Sequence, residues 1–133
     1  MNPAQFAKSY RAVAVSTATP GHLVLMLFDG ALRSMAIALS GFDEPDVVRR
    51  NEVIHNKLQN AIDIVQELQT SLDMKVPGDF SPRMWALYDF MKTQLRQANM
   101  RKDPEPIRVV EHLLRTIRDA WATMLERTAT QAA

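Results

Sequence analysis

The residues that would support catalysis or metal binding are few and scattered along the chain. The sequence contains no Cys and three His, and Glu52 and His55 form a Glu-x-x-His pattern. On a helix this spacing places both side chains on one face, and di-iron bundles use two such motifs with two further Glu. A second copy is absent, because Glu111 and His112 are adjacent and point to different faces. The single motif therefore predicts no metal site.

Two carboxylates lie within apolar segments. Asp29 and Asp89 each follow an aromatic residue, a placement that would suit paired acids, although capping, salt bridging or contact with a loop explains it more simply. The glycine-rich signatures of nucleotide-binding loops and the Gly-x-Ser-x-Gly motif of hydrolases are missing. We therefore expect no catalytic residue and no cofactor, and hence a protein that is not an enzyme.

The charge balance argues against a nucleic-acid partner. The chain has sixteen Lys and Arg residues and fifteen Asp and Glu residues, which gives a formal net charge of +1. Binding to a phosphate backbone needs many clustered cations. The pair Arg101-Lys102 suits the C-terminal end of a predicted helix, whereas Arg49-Arg50 lies near a predicted N-terminus, where the helix dipole does not favour cations.

Proline marks the starts of four predicted helices. The sequence offers Thr19-Pro20, Ser81-Pro82 and Asp103-Pro104, each a capping residue followed by Pro at the first helical position, and a weaker start at Glu44-Pro45-Asp46. Gly41 predicts the end of the first helix, and Pro77-Gly78-Asp79 predicts a loop before the third.

Apolar residues recur at alternating steps of four and three in the last three segments, which is typical of antiparallel helices packed at a shallow angle. The first segment differs, because Leu23 to Phe28 is an unbroken apolar run. Such a run also suits a buried strand, but the Thr-Pro start favours a helix with little solvent contact. It is far shorter than the roughly 20 residues that span a bilayer, and the N-terminus lacks the apolar stretch of a signal peptide, so we expect a cytoplasmic protein without membrane insertion.

The sequence therefore predicts an all-α, up-down antiparallel four-helix bundle. We expect an N-terminal arm over residues 1–18 that folds over the bundle, the bundle itself over 19–128 and a flexible tail over 129–133. The apolar stripes are wider than a bundle needs. Either they widen the contacts between helices or they receive an apolar partner, and the eight Met either fill core gaps or serve an adaptable binding surface.

A block near the start of the chain has a recognisable order. It consists of Thr17-Ala18-Thr19-Pro20, Leu23 and Met26-Leu27-Phe28-Asp29-Gly30-Ala31, with Tyr10 seven residues before it. This block resembles the signature of the flagellin-specific export chaperones, the FliS family. Weaker matches follow in the right order at Asn51-Glu52, Leu87-Tyr88-Asp89 and Arg118-Asp119-Ala120-Trp121, so the resemblance covers about residues 6 to 125. Phe28 replaces the usual Tyr, and His22 replaces the common Glu and removes a capping box.

The resemblance implies a small helical bundle of the bacterial cytosol. Members of this family bind the C-terminal segment of flagellin, which is disordered when free, and so block premature filament assembly and assist type III export. The arm is thought to cover part of the binding groove and to move aside for the client.

From this resemblance and the apolar pattern we predict a client-binding groove and a covering arm. The groove residues are Leu27, Phe28, Ile64, Leu68, Leu72, Leu87, Met91 and Leu95. The arm residues are Phe6, Tyr10 and Thr17. Contact with an export-gate component and formation of a homodimer are further hypotheses. The alternative is a helical adaptor or chaperone for a different secreted client.

Overall fold

Four helices dominate this computed structural model, which describes residues 19–132. They are α1 (Pro20–Gly41), α2 (Val47–Thr70), α3 (Phe80–Arg101) and α4 (Glu105–Ala132). The connections are residues 42–46, 71–79 and 102–104. Residues 19–132 contain no strand. The predicted arm over residues 1–18 lies outside the described residues, as does residue 133.

The first helix begins where the sequence predicts, and the second begins directly after the predicted segment Glu44-Pro45-Asp46. Thr19 caps α1, since its hydroxyl oxygen accepts a hydrogen bond from the His22 backbone N–H at 3.3 Å, and Pro20 is the first helical residue. Asp46 caps α2 in the same way and accepts from the N–H groups of Val48 and Arg49 at 3.0 and 3.3 Å. These side chains satisfy donors that have no partner within the helix.

The third helix begins one residue before the predicted cap. Its first residue is Phe80, so Ser81 lies inside α3. The Ser81 hydroxyl donates to the Asp73 carbonyl oxygen at 2.9 Å and so ties the preceding loop to the helix. The fourth helix begins at Glu105, whose N–H donates to the Asp103 carboxylate at 3.0 Å.

The helices close into a ring in which α1 and α3 each pack against both α2 and α4. Hydrogen bonds between side chains and neighbouring helices join α1 to α2, α2 to α3 and α1 to α4. They are Asn60 Nδ2 to Ser34 Oγ, Gln69 Nε2 to Asp89 Oδ1 and Trp121 Nε1 to the Gly21 carbonyl oxygen. The order of contacts along the first two helices is antiparallel, because Gly41 at the end of α1 approaches Val53 near the start of α2, whereas Gly30 approaches Ile64 further along α2. This antiparallel arrangement confirms the predicted four-helix bundle.

The core draws apolar side chains from all four helices. Its largest fully buried apolar members are Phe28, Met35, Ile54, Leu58, Val65, Leu68, Met91, Leu95, Ile107, Val110 and Leu114. These positions follow the alternating steps of three and four that the sequence shows.

The first helix is less buried than predicted. By length and composition it is apolar enough to cross a membrane, with a mean hydropathy of 1.6 over 18 residues, yet only 33% of that window is buried in the bundle. The expectation of little solvent contact is therefore wrong. A bundle helix contacts its neighbours along one stripe, and α1 is apolar beyond that stripe.

The last helix continues through residues 129–132, where the sequence analysis predicted a tail. No Gly or Pro interrupts this stretch, and Ala has the highest helix propensity. The hydroxyls of Thr128 and Thr130 donate to the carbonyl oxygens of Met124 and Glu126, each at 2.9 Å. Helix α4 therefore extends four residues beyond residue 128.

Candidate functional site

Four of the eight predicted groove residues lie in the core. Phe28 and Leu68 are exposed by 2% and 1%, and Met91 and Leu95 are fully buried. Each belongs to the row of its helix that faces the bundle axis. In this arrangement of the helices they are not accessible to a partner.

The other four are partly buried, and they do not form one surface. Leu27 lies on α1 one turn before Gly30, where an added Cβ would lie 3.4 Å from Ile64 Cδ1 of α2. Leu27 and Ile64 therefore share the boundary between α1 and α2. Leu72 follows the end of α2. Leu87 lies on α3 and packs against the core, about 160° around the helix from Asp89, whose carboxylate bonds to Gln69 of α2.

Two exposed residues extend the boundary between α1 and α2, and the sequence analysis did not assign them to the site. Met26 is 42% exposed and Ile37 is 38% exposed. They stand four residues before and seven after Gly30, so all three lie on one face of α1. We call this surface the α1–α2 seam: Leu23, Met26, Leu27, Gly30, Ile37 and Ile64. The unbroken apolar run in the sequence was a signal for this surface, but we interpreted that run as a sign that the helix is buried.

Asp29 is engaged in an ion pair that closes the opposite flank of α1. Its carboxylate accepts from Arg118 Nε at 2.8 Å, and Arg118 Nη1 donates to Asp119 at 3.2 Å. The hydrogen bond to Asp29 is the main reason that the pKa of Arg118 lies above its usual value. Beside this pair, the Trp121 ring lies 6.4 Å from the Phe28 ring, centroid to centroid. Asp29 therefore joins α1 to α4.

Asp89 has a separate role between α2 and α3. The Gln69 side chain is 1% exposed and donates from Nε2 to the Asp89 carboxylate at 2.7 Å and to the Trp85 carbonyl oxygen at 3.0 Å. The bond from Gln69 is the main reason that the pKa of Asp89 lies below its usual value. Lys92 Nζ lies 3.4 Å from Asp89 and donates to Gln66 at 2.6 Å. Asp29 and Asp89 thus lie at different helix pairs and do not form paired acids.

The Glu-x-x-His motif has no metal-binding surroundings. Nδ1 of His55 lies 2.8 Å from the Asn99 side-chain nitrogen, which places the ring in the contact between α2 and α3. Within residues 19–132, no group of three or more His, Cys, Asp or Glu side chains is arranged to hold a metal ion. The predicted arm residues Phe6, Tyr10 and Thr17 lie outside the described residues.

Comparison with known proteins gives a consistent result. The family described as "Flagellar protein FliS" matches residues 2–128. The flagellar secretion chaperone FliS of Bacillus subtilis is 36% identical over 118 residues, which are 89% of this chain and 84% of that protein. FliS of Salmonella typhimurium is 38% identical over 109 residues, 81% of this chain and 78% of that protein. FliS of Escherichia coli is 37% identical over 113 residues, 84% of this chain and 80% of that protein.

These relatives are chaperones and not enzymes, in agreement with the prediction from the sequence. The match extends over nearly the whole bundle and includes the block from Thr17 to Ala31. The chain belongs to the FliS family of flagellar proteins.

Proposed function

We propose that this protein is a cytosolic chaperone that binds the disordered C-terminal segment of flagellin, prevents its premature polymerisation and assists its type III export. Membership of a family whose relatives are named flagellar secretion chaperones supports this function. The single observation that carries it is the α1–α2 seam, a row of apolar side chains that the bundle leaves partly exposed. Binding alone needs no catalytic residue.

The seam runs along α1 from Leu23 to Ile37, a distance of about 21 Å. An amphipathic client helix can lay its apolar face along such a groove. Ordering a disordered segment costs roughly 2–5 kcal/mol or more, so the contact must be long to be tight. Wrapping around the chaperone supplies that length.

The four buried residues of the predicted groove enter this proposal differently. Phe28, Leu68, Met91 and Leu95 contact the client only if the helices separate when it binds. Leu27 and Ile64 contact it without any such movement, as part of the seam. We therefore place the first contact of the client at the seam.

The arm is proposed to compete with the client for the seam. It is joined to α1 at Thr19, one turn before Leu23. Eighteen extended residues reach roughly 60 Å, which exceeds the length of α1. Phe6, Tyr10 and Thr17 would provide its contacts. Deletion of residues 1–18 should promote self-association of the free protein, including homodimers, measured by light scattering; a truncated protein as monodisperse as the full chain would rule out the covering role.

A matched pair of substitutions tests the seam. Met26→Asp places a charge on it, whereas Met100→Asp places the same charge on α3 at a residue that is 80% exposed. We expect Met26→Asp to weaken flagellin binding at least about tenfold, because the carboxylate must be desolvated against apolar contacts. Met100→Asp should leave binding unchanged. Affinities are measured by calorimetry, and helical circular dichroism and melting confirm that both variants fold.

Two outcomes would contradict the proposal. If Met26→Asp and the unchanged protein bind flagellin with equal affinity, the seam is not part of the binding site. If flagellin binds equally well with and without its C-terminal segment, that segment is not the client. The alternative, a helical adaptor for a different secreted client, predicts no binding of flagellin at all. Contact with an export-gate component is tested by measuring, again by calorimetry, whether that component binds the chaperone–client complex.

A further inference from the structure

The connection between α2 and α3 presents exposed apolar side chains at one end of the bundle. Met74, Val76 and Phe80 are 49%, 52% and 68% exposed. Single exposed apolar residues are common on protein surfaces, but three large ones within seven residues form a patch. We call this surface the end patch: Met74, Val76 and Phe80. Residues 19–132 leave it open to solvent.

Hydrogen bonds hold the loop that carries the patch. The Asp73 carbonyl oxygen accepts from the Val76 backbone N–H at 3.4 Å and from the Ser81 hydroxyl at 2.9 Å. The bond to Ser81 brings the two ends of the loop together, and with them Met74 and Phe80. A segment that binds the patch therefore does not have to order the loop first, which lowers the entropic cost of binding.

The N-terminal arm, residues 1–18, joins the bundle beside this loop. Helices α1 and α2 are antiparallel, and Gly30 of α1 lies against Ile64 of α2. Thr19 is eleven residues before Gly30, so it is level with residue 75, which is eleven residues after Ile64. Residue 75 belongs to the loop that carries the end patch. The arm therefore begins at the same end of the bundle as the patch.

The arm has apolar side chains within reach of the patch. Val15 and Val13 precede Thr19 by four and six residues. Extended chains of these lengths span at most about 14 and 22 Å. Neighbouring helices are only about 8–10 Å apart, so both side chains can reach the loop that follows α2. Residues 1–18 contain no Asp or Glu, and no carboxylate of the arm would have to be desolvated at the patch.

The size of the patch favours an occupant that is tethered to it. Three partly exposed side chains offer a few hundred Å², whereas a stable complex buries roughly 800 Å² on each partner. A second copy or a free protein would therefore gain too little here to offset the translational and rotational freedom that it loses. A segment of the same chain loses much less, because the short connection keeps it at a high effective concentration.

We propose that the end patch anchors the arm of the same chain through Val13 and Val15. The anchor deepens the covering role proposed above for the arm, and it rests on that proposed function. Phe6 lies seven residues before Val13, a span of at most about 25 Å. The α1–α2 seam is about 21 Å long, so Tyr10 and Phe6 can reach it while the anchor holds. The client then displaces only this outer part of the arm, which stays close enough to return when the client leaves.

A single introduced thiol tests the anchor, because the chain contains no Cys. Val15→Cys retains a small apolar side chain at the anchor. Its rate of reaction with a water-soluble disulfide reagent reports how far docking shields the thiol from water. We expect Met74→Ser, added to Val15→Cys, to raise this rate at least about threefold, because the patch loses apolar surface.

A matched control and a second variant support this measurement. Met100→Ser makes the same substitution on α3 at a residue that is 80% exposed and about 30 Å along the helix from Phe80, and it should leave the rate unchanged. Phe80→Ser should raise the rate at least as much as Met74→Ser, because Phe80 is the largest side chain of the patch. Helical circular dichroism and melting establish that each variant folds.

Two results would overturn the proposal. If the Val15→Cys thiol reacts equally fast with and without Met74→Ser and Phe80→Ser, the patch does not hold the arm. If shielding of the thiol increases with protein concentration, a second copy covers the patch instead. Flagellin is absent from these measurements, so failure of the anchor is distinguishable from failure of the proposed chaperone function, which the flagellin affinities report.

Discussion

Replacing Gly by Ala should have opposite effects on stability at two positions of α1. Gly30 lies in the middle of the helix, and an added Cβ would meet Ile64 Cδ1 at 3.4 Å, an ordinary van der Waals distance. Ala is preferred over Gly in a helix interior by about 1 kcal/mol. Gly30→Ala should therefore stabilise the bundle by about 1 kcal/mol, which corresponds to a rise of about 4 °C in Tm for a domain of this size.

Gly41 lies at the end of α1, where α2 approaches closely. An added Cβ would lie 3.1 Å from Val53 Cγ1 and 3.3 Å from Ile54 Cγ1. Ile54 is fully buried in the core, so it cannot move away without disturbing other contacts. Overpacking of this kind costs about 1–3 kcal/mol, which outweighs the gain in helix propensity. Gly41→Ala should therefore destabilise the bundle by about 1 kcal/mol.

Urea unfolding followed by circular dichroism measures both free energies. The two variants share the same change in composition, so their difference of about 2 kcal/mol reports the local packing. If Gly41→Ala stabilises the protein as much as Gly30→Ala, the approach of α2 to the end of α1 is not limiting and the reasoning is refuted.

Three further predictions concern titration and backbone geometry. Burial raises the pKa of Tyr88 to about 12. The contribution of Tyr88 to stability is therefore present below pH 10 and is lost between about pH 10 and 12. In a variant with Tyr10 replaced by Phe, Tyr88 is the only tyrosine. Tyrosinate absorbance of that variant should therefore follow the ionisation of Tyr88 and the accompanying unfolding. Gln69→Leu removes the main cause of the low pKa of Asp89. The stability gap between this variant and the unchanged protein should narrow as pH falls below the ordinary pKa of 3.8, because the bond to Gln69 favours the ionised carboxylate. Lys102 has a φ of 51°, in the left-handed region; Lys102→Gly should be about 1 kcal/mol more stable than Lys102→Ala in urea unfolding, because Gly adopts this conformation at little cost.

The fold could be predicted because local and periodic signals agree. The capping residue Thr19 and the end at Gly41 were visible as single residues, and the core rows followed from steps of three and four. Ser81 illustrates the limit of such signals. Its type and the following Pro suit a cap, but the hydroxyl bonds instead to Asp73, a contact that depends on the path of the loop.

The site was harder to predict, because one helical period generates both core and surface positions. Met91 and Leu87 are four residues apart and equally apolar, yet Met91 is fully buried and Leu87 only partly so. Met26 lies in an apolar run that suggested burial, yet its side chain is 42% exposed. Only the positions of the neighbouring helices distinguish these cases.

The bond from Trp121 to the Gly21 carbonyl oxygen joins residues 100 positions apart in the chain, whereas consecutive helices meet through short connections. Closing α4 onto α1 therefore carries the largest loop-closure entropy of these helix pairs, and we expect this contact to form after the consecutive helix pairs have assembled. The same end bears the junction with residues 1–18. A ribosome-bound chain that has exposed only its first helices thus lacks the contact that secures the start of α1, and the apolar helix stays uncovered there until synthesis reaches Trp121.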